Sequence, residues 1–343
     1  MKKLLAILVL ALTTSISFAQ DAPETTPLEI TGSGDLYYKY DFAKVPNIGT
    51  SFGTDQNSVS LGMLDIAFKK SIKKVSFVGE VSFGPRGQYQ SIPNGDGTDV
   101  NSFHIQNLYA SYAVSDKFSF TAGYMGTYIG YEVISPVGNF NYSTSYLFTN
   151  GPFQNAGVKA NYKISDKFGA MLGVFNDTWN SYKADPVKGL NAVGGQLSFA
   201  TEGVSAYLNF MDGSVSGTIV DLTATFQLSK KFKLGLNAAD FSNGDKVGYT
   251  GAAIYPSYAF TDAFSLGLRA EYFKAKEEAV ALYGIGADQS VTAFTLSGNY
   301  KVSGLTIIPE FRLDSNSDDY FKDSDLAPAS SASQFLLAVV YGF

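Results

Sequence analysis

Two charged pairs have members spaced two residues apart: Arg269 with Glu271, and Glu310 with Arg312. In an extended chain that spacing puts both members of a pair on one face. Opposite charges gathered on a wet surface can form a constriction that sets ion preference. They can equally form a salt-bridge network along a wall, and the residues alone support both readings. Asp35, Lys39, Glu80 and Lys159 occupy the same kind of position in other alternating runs, as do Asp65, Lys163, Asp221, Lys233 and Asn299. A dry packed core could not hold this set without pairing every charge. Arg269, Glu271, Glu310, Arg312, Asp35, Lys39, Glu80 and Lys159 are therefore candidates to line a water-filled passage.

Other chemistry has weaker support. Asp314, Asn316 and Asp318 are spaced as in calcium loops, with Asp325 at the position of the closing ligand. Asp319 stands where such a loop needs glycine, and Asp325 cannot supply the bidentate Glu. The stretch reads better as a solvated acidic loop. Hydrolases built on barrels use His with Ser or Asp. Here the one histidine, His104, lies near a strand end and reads as polar surface. No Gly-x-Ser-x-Gly elbow, zinc-ligand set or phosphate loop is present, so neither an enzyme nor a cofactor is expected. The net charge of −6 argues against nucleic acid as a partner. With no cysteine, no disulfide staples the chain.

The elements that would position these residues are strands. Period-two alternation recurs along the chain, and helical periodicity is almost absent. In 263–273, Phe264, Leu266, Leu268, Ala270 and Tyr272 alternate with Ser265, Gly267, Arg269, Glu271 and Phe273. In 304–313, Leu305, Ile307, Pro309, Phe311 and Leu313 alternate with Thr306, Ile308, Glu310 and Arg312. Strand pairs are joined by short turns such as Ser165-Asp166-Lys167-Phe168, Ser229-Lys230-Lys231-Phe232 and Thr261-Asp262-Ala263-Phe264. About seven such hairpins, plus one strand at each end (28–42 and 333–343), give about sixteen strands. Longer polar stretches separate the hairpins: 43–56, 85–102, 127–154, 177–190, 213–217, 242–247, 276–289 and 314–332. Aromatics such as Tyr112, Phe118, Tyr162, Phe168, Phe232, Phe264 and Tyr300 cluster beside the short turns, where a membrane-interface girdle belongs. Pro256 and Pro309 fall inside strands, where a missing N–H points to a bulge or a strand end.

The ends of the chain indicate a compartment. Residues 1–19 combine Lys2 and Lys3, an apolar run and a Ser17-Phe18-Ala19 cleavage site, as secretory signals do. The final strand has Phe335, Leu337, Val339, Tyr341 and Phe343 on one face. Gln334, Ala338 and Gly342 lie on the other, with Leu336 and Val340 as apolar exceptions. It resembles the C-terminal sorting signal of outer-membrane barrels. In lipid a sheet must close on itself, and about sixteen strands leave an aqueous lumen. The expected fold is an all-β, transmembrane, antiparallel up-and-down barrel, with short periplasmic turns and long extracellular loops. The expected domains are the signal at 1–19, a short periplasmic segment at 20–27 and the barrel at 28–343.

The most individual stretch is 127–154. It is rich in Tyr, Asn and Ser, and its one charge is Glu132. Long loops in compact domains are functional or disordered, and this aromatic content argues for order. It contains Gly130, Glu132, Asn139, Asn141, Tyr142, Ser143, Pro152 and Gly157 just beyond it. The pattern resembles the corresponding segment of the OmpL-like β-barrel porins. That resemblance implies an outer-membrane channel in a Gram-negative-type envelope and names no substrate.

The expected function is passive diffusion of small hydrophilic solutes or ions, with the bore narrowed by loop 127–154. Glu132, Asn139, Asn141, Tyr142 and Ser143 are the constriction candidates. The acidic balance of the lumen favours cations. The alternative is a non-conducting barrel that displays its loops for binding or adhesion. Expected partners are outer-membrane lipid, lipopolysaccharide and small solutes, and assembly into a homo-oligomer is left open.

Overall fold

The computed structural model describes residues 25–84, 103–179, 183–184, 186–187, 189–279 and 282–343. The signal at 1–19, residues 20–24 and the polar stretch 85–102 lie outside the described residues.

The chain forms β1 (Glu29–Asp41), β2 (Ser58–Ile72), β3 (Val75–Phe83), β4 (Phe103–Ser115), β5 (Phe118–Gly126) and β6 (Gln154–Lys163). It continues with β7 (Phe168–Phe175), β8 (Ala192–Ala200), β9 (Val204–Gly213), β10 (Gly217–Gln227), β11 (Phe232–Ser242) and β12 (Gly248–Ala259). β13 (Phe264–Ala275), β14 (Ser290–Val302), β15 (Leu305–Asn316), β16 (Phe321–Lys322), β17 (Pro328–Ala329) and β18 (Ser331–Gly342) complete the strands. Sixteen of them close into one antiparallel barrel, each beside its neighbour in sequence. β16 and β17 form a separate hairpin in the last long connection. Closure runs through β1 and β18, where Ser33 faces Gly342 and Asp41 faces Gln334. Beyond that ladder, Phe343 and Gly32 exchange backbone hydrogen bonds of 3.0 and 3.1 Å.

The recurring turn has a local cause. Ser165, Ser229 and Thr261 each accept, on the side-chain oxygen, the N–H of the Phe three residues on, at 3.0–3.1 Å. A hydroxyl that mimics a backbone acceptor favours a turn over continued strand. All seven expected short turns lie at one end of the barrel. At the other end the connections are mostly long, but 214–216 and 243–247 are short, so the contrast in length is less complete than expected. Residues 25–27 are not a free tail: Thr26 N–H donates to Ser71 O at 3.0 Å, against the end of β2.

Outward rows are apolar and exposed, as on β13 to β15 with Tyr272, Phe294, Leu296, Phe311 and Leu313. Phe168 and Phe199 pair across strands beside a short turn, with ring centroids 5.0 Å apart, as a girdle requires. Neither proline marks a bulge. Pro256 still faces Leu234, and Pro309 still faces Leu337. On the opposite side the ladder skips the proline position and resumes in the same register. The strand thus gives up bonds to one neighbour and keeps its place.

Candidate functional site

The inward faces of β13, β14, β15, β18 and β1 meet the segment 127–153, which joins β5 to β6. The segment contains a 3₁₀ turn at Pro136–Gly138 and one short helix, α1 (Tyr146–Asn150). Ser145 caps α1 by accepting Phe148 N–H at 2.9 Å, as an N-cap serine does. The next free amides of α1 go to the wall. Tyr146 and Leu147 N–H donate to the two carboxylate oxygens of Glu271 at 3.0 and 2.8 Å. Four residues earlier, outside the helix, the motif repeats: Tyr142 and Ser143 N–H donate to the two oxygens of Glu310 at 2.9 and 3.2 Å. Further along the wall, Gly130 N–H donates to Asp221 Oδ1 at 3.0 Å. Backbone amides of an irregular segment need acceptors once water is excluded, and these carboxylates provide them.

The arginines bind the complementary carbonyls. Arg269 donates to Glu132 Oε1 at 2.8 Å, Ser143 O at 2.5 Å and Thr144 O at 3.2 Å. Arg312 donates to both oxygens of Asp314 at 2.8 and 2.9 Å, and to Thr144 O at 2.8 Å. Both guanidinium groups are 0% exposed. Glu132 also accepts Ser145 N–H and Oγ–H at 2.8 and 2.9 Å, which ties the segment to itself. Burial and the neighbouring Asp314 push the Tyr146 phenol well above its ordinary pKa, so it remains a donor to Asp314 at 2.8 Å. Every charged head in this buried network has at least one partner, although Arg269 Nε itself makes no hydrogen bond; pairing of this kind makes buried charge tolerable.

The other constriction candidates take distinct places. Asn141 donates to Ser297 Oγ at 2.7 Å, and Tyr142 OH donates to Asp35 Oδ2 at 2.5 Å. Asn139 bridges both backbone groups of Val133 at 3.0 and 2.6 Å, bracing the segment internally instead of gripping the wall. Lys39 donates to Thr54 O at 3.1 Å, in the preceding long connection. That connection also lies against 127–153: Ser51 N–H donates to Thr149 Oγ1 at 3.0 Å, and Phe52 sits 5.8 Å from Phe148. Glu80 and Lys159 stand apart. Glu80 accepts from Asn107 at 2.6 Å. Lys159 faces inward and makes no ion pair among the described residues.

Several readings need correction. Asp314 and Asn316 belong to β15, not to an outer loop. Asp314 is spent on Arg312 and Tyr146, while Asp318 and Asp325 are exposed in the connection beyond, so the four do not converge. Among the described residues no group of three or more potential ligands could hold a metal. His104 is 1% exposed and thus not polar surface. Sequence reasoning missed Tyr146 and Leu147 as anchors, and named Asp221 only as an inward charge. Tyr146 and Leu147 act mainly through backbone N–H, which leaves no side-chain signal. Wall glycines were also missed: a Cβ on Gly194, Gly235 or Gly267 would collide with Tyr128, Tyr131 or Phe140 respectively. The apolar exceptions Leu336 and Val340 are explained by the same contact, since they cluster with Tyr37, Tyr142, Ile308 and Ala338.

Solved structures share this architecture. An anion-selective porin from Comamonas acidovorans superposes with a TM-score of 0.63 at 11% identity, over 93% of this chain and 100% of that one. Salmonella typhi OmpF, in complex with daunomycin, gives 0.58 at 13% identity, over 92% and 97%. The trimer form of OmpT from Vibrio cholerae gives 0.57 at 12% identity, over 94% and 100%. At such identities the likeness is one of fold. No curated protein matches the chain. A family model described as "Putative beta-barrel porin-2, OmpL-like" matches residues 27–343, the whole barrel, so the chain belongs to that family and is an outer-membrane porin.

Proposed function

We propose that the barrel passes small hydrophilic solutes or ions by passive diffusion, through a bore narrowed by segment 127–153. The observation that carries this reading is the double grip of Glu271 and Glu310 on consecutive backbone amides of the segment. A loop held by wall carboxylates at two successive points keeps its place in the bore without help from solvent. The paired arginines and carboxylates then act as anchors, and the inward charges outside that network include Glu80 and Lys159, the latter 5% exposed. The excess of inward carboxylates favours cations.

Planar-bilayer recording of the refolded protein tests this. Discrete conductance steps are expected, and deletion of 135–150 should enlarge them. Unchanged step size in the deletion variant would mean that the segment caps the outer surface instead. The second reading, a closed barrel that displays its loops, draws on the contact between the 42–57 and 127–153 connections. Silence from well-folded protein in the bilayer would favour it.

A further inference from the structure

At the outer mouth, the two interlocked connections leave a cavity of about 560 Å³. Its walls come from 49–51, 149–151, Phe153, Trp179, Phe241, Asn243, 247–248, Ala279 and 282–283. That size lies within the range of small-molecule sites. Among the described residues none that lines it is charged, in contrast to the network immediately below it. What it presents instead is aromatic surface and amide groups: Trp179, Phe241, Phe153 and Tyr283, with Asn150 and Asn243 between them.

Two further observations point to a ligand. Trp179 packs on Phe241 with ring centroids 4.9 Å apart, yet its Nε1 is buried and has no hydrogen-bond partner among the described residues. A buried donor left unmade costs free energy, so a small turn of the indole toward an acceptor in the cavity would be favoured. Tyr283 is 70% exposed at the rim, while its backbone is fixed by both amide atoms of Asn150, at 2.8 and 3.3 Å. An exposed ring on a braced backbone is a platform ready for contact.

We propose that this vestibule is a binding subsite for neutral saccharides. A sugar ring offers a C–H face to aromatic surface and hydroxyls to the Asn243 amide and the indole N–H, and it carries no charge that would go unpaired here. Ions gain nothing from such a lining. The inference rests on the porin reading above and narrows it: uncharged sugars are captured at the mouth before they meet the charged bore.

Trp179 is the only tryptophan in the chain, so its emission reports on the cavity without any measurement of conduction. Maltotriose is titrated into detergent-folded protein while the fluorescence is followed. A saturable change in the millimolar range is expected. Glucosamine and gluconate, cationic and anionic, should give no saturable change. Tyr283→Ala removes an exposed ring and leaves the fold untouched, and it should raise the half-saturation point about tenfold. Lys246→Gln, beyond the cavity, should not move it. No saturable response to maltotriose, or an equal response to the charged sugars, overturns the proposal. Conductance steps without a fluorescence response overturn the subsite alone. A response from protein that is silent in bilayers supports the subsite and overturns the channel.

Discussion

The two sides of the bore treat charge in opposite ways. On the side built from β13, β14, β15 and β1, the Arg269, Glu271, Glu310, Arg312 and Asp35 heads are all bonded, mostly to segment 127–153. On the side built from β3 to β6, among the described residues Glu80 accepts a hydrogen bond from Asn107 and Lys159 has no ion pair. Inward position is the same on both sides. The difference is whether an irregular stretch of backbone comes to rest against the wall. Where it does, carboxylates become amide acceptors and arginines become carbonyl donors. Where it does not, Glu80 and Lys159 hold no backbone of the segment.

This contrast can be broken from its strong side first. Arg269→Ala leaves Glu132 buried without its counter-ion, and it should destabilise the barrel by about 3–5 kcal/mol. Urea unfolding in lipid vesicles measures the loss, and bilayer conductance should rise as the segment loosens. A smaller steric insult comes next. Gly235→Val would drive a side chain into the seat of Tyr131 and should cost about 1–3 kcal/mol by overpacking. Loss of the near-ultraviolet dichroism of the packed tyrosines would follow it, whereas an unaltered spectrum would show that Tyr131 does not sit there.

On the other side the expected effects are electrical. Glu80→Gln should shift the reversal potential in a salt gradient toward anions, and Lys159→Gln should shift it toward cations. Neither should change unfolding in urea. If Glu271→Gln shifted the reversal potential as much as Glu80→Gln, the division between anchoring and solute-facing charge would fail.

The smallest effect lies outside the bore. Burial disfavours the charged form of Asp177, but the bonds it accepts from Ser216, Ser214 and Val215 outweigh burial and hold its carboxyl below the ordinary value. Its stabilising contribution is therefore present above the unfolded value of about 3.9 and is lost as pH falls through the depressed folded value. Amide exchange at Val215 and Ser216 should accelerate over that acidic range in the native protein. In Asp177→Asn it should already be fast at neutral pH.

Much of the barrel was legible because each cue is local. The hydroxyl of Ser165, Ser229 or Thr261 makes its turn within four residues, and alternation in β13 or β15 assigns faces regardless of what lies across the bore. The prolines misled, because a ladder can skip one pair without shifting register. The acidic run from Asp314 misled for a related reason: β15 continues through it, and Arg312, two residues earlier on the same face, takes both oxygens of Asp314.

By itself, the sequence determined a closed sheet, its lipid-facing rows, its turns and the inward placement of the charged pairs, since period-two geometry and the need to satisfy every backbone group in lipid leave few alternatives. Only the tertiary structure decided which inward charges hold a loop. Those bonds join backbone amides to carboxylates more than a hundred residues away, and a backbone amide is chemically the same at nearly every position in the chain.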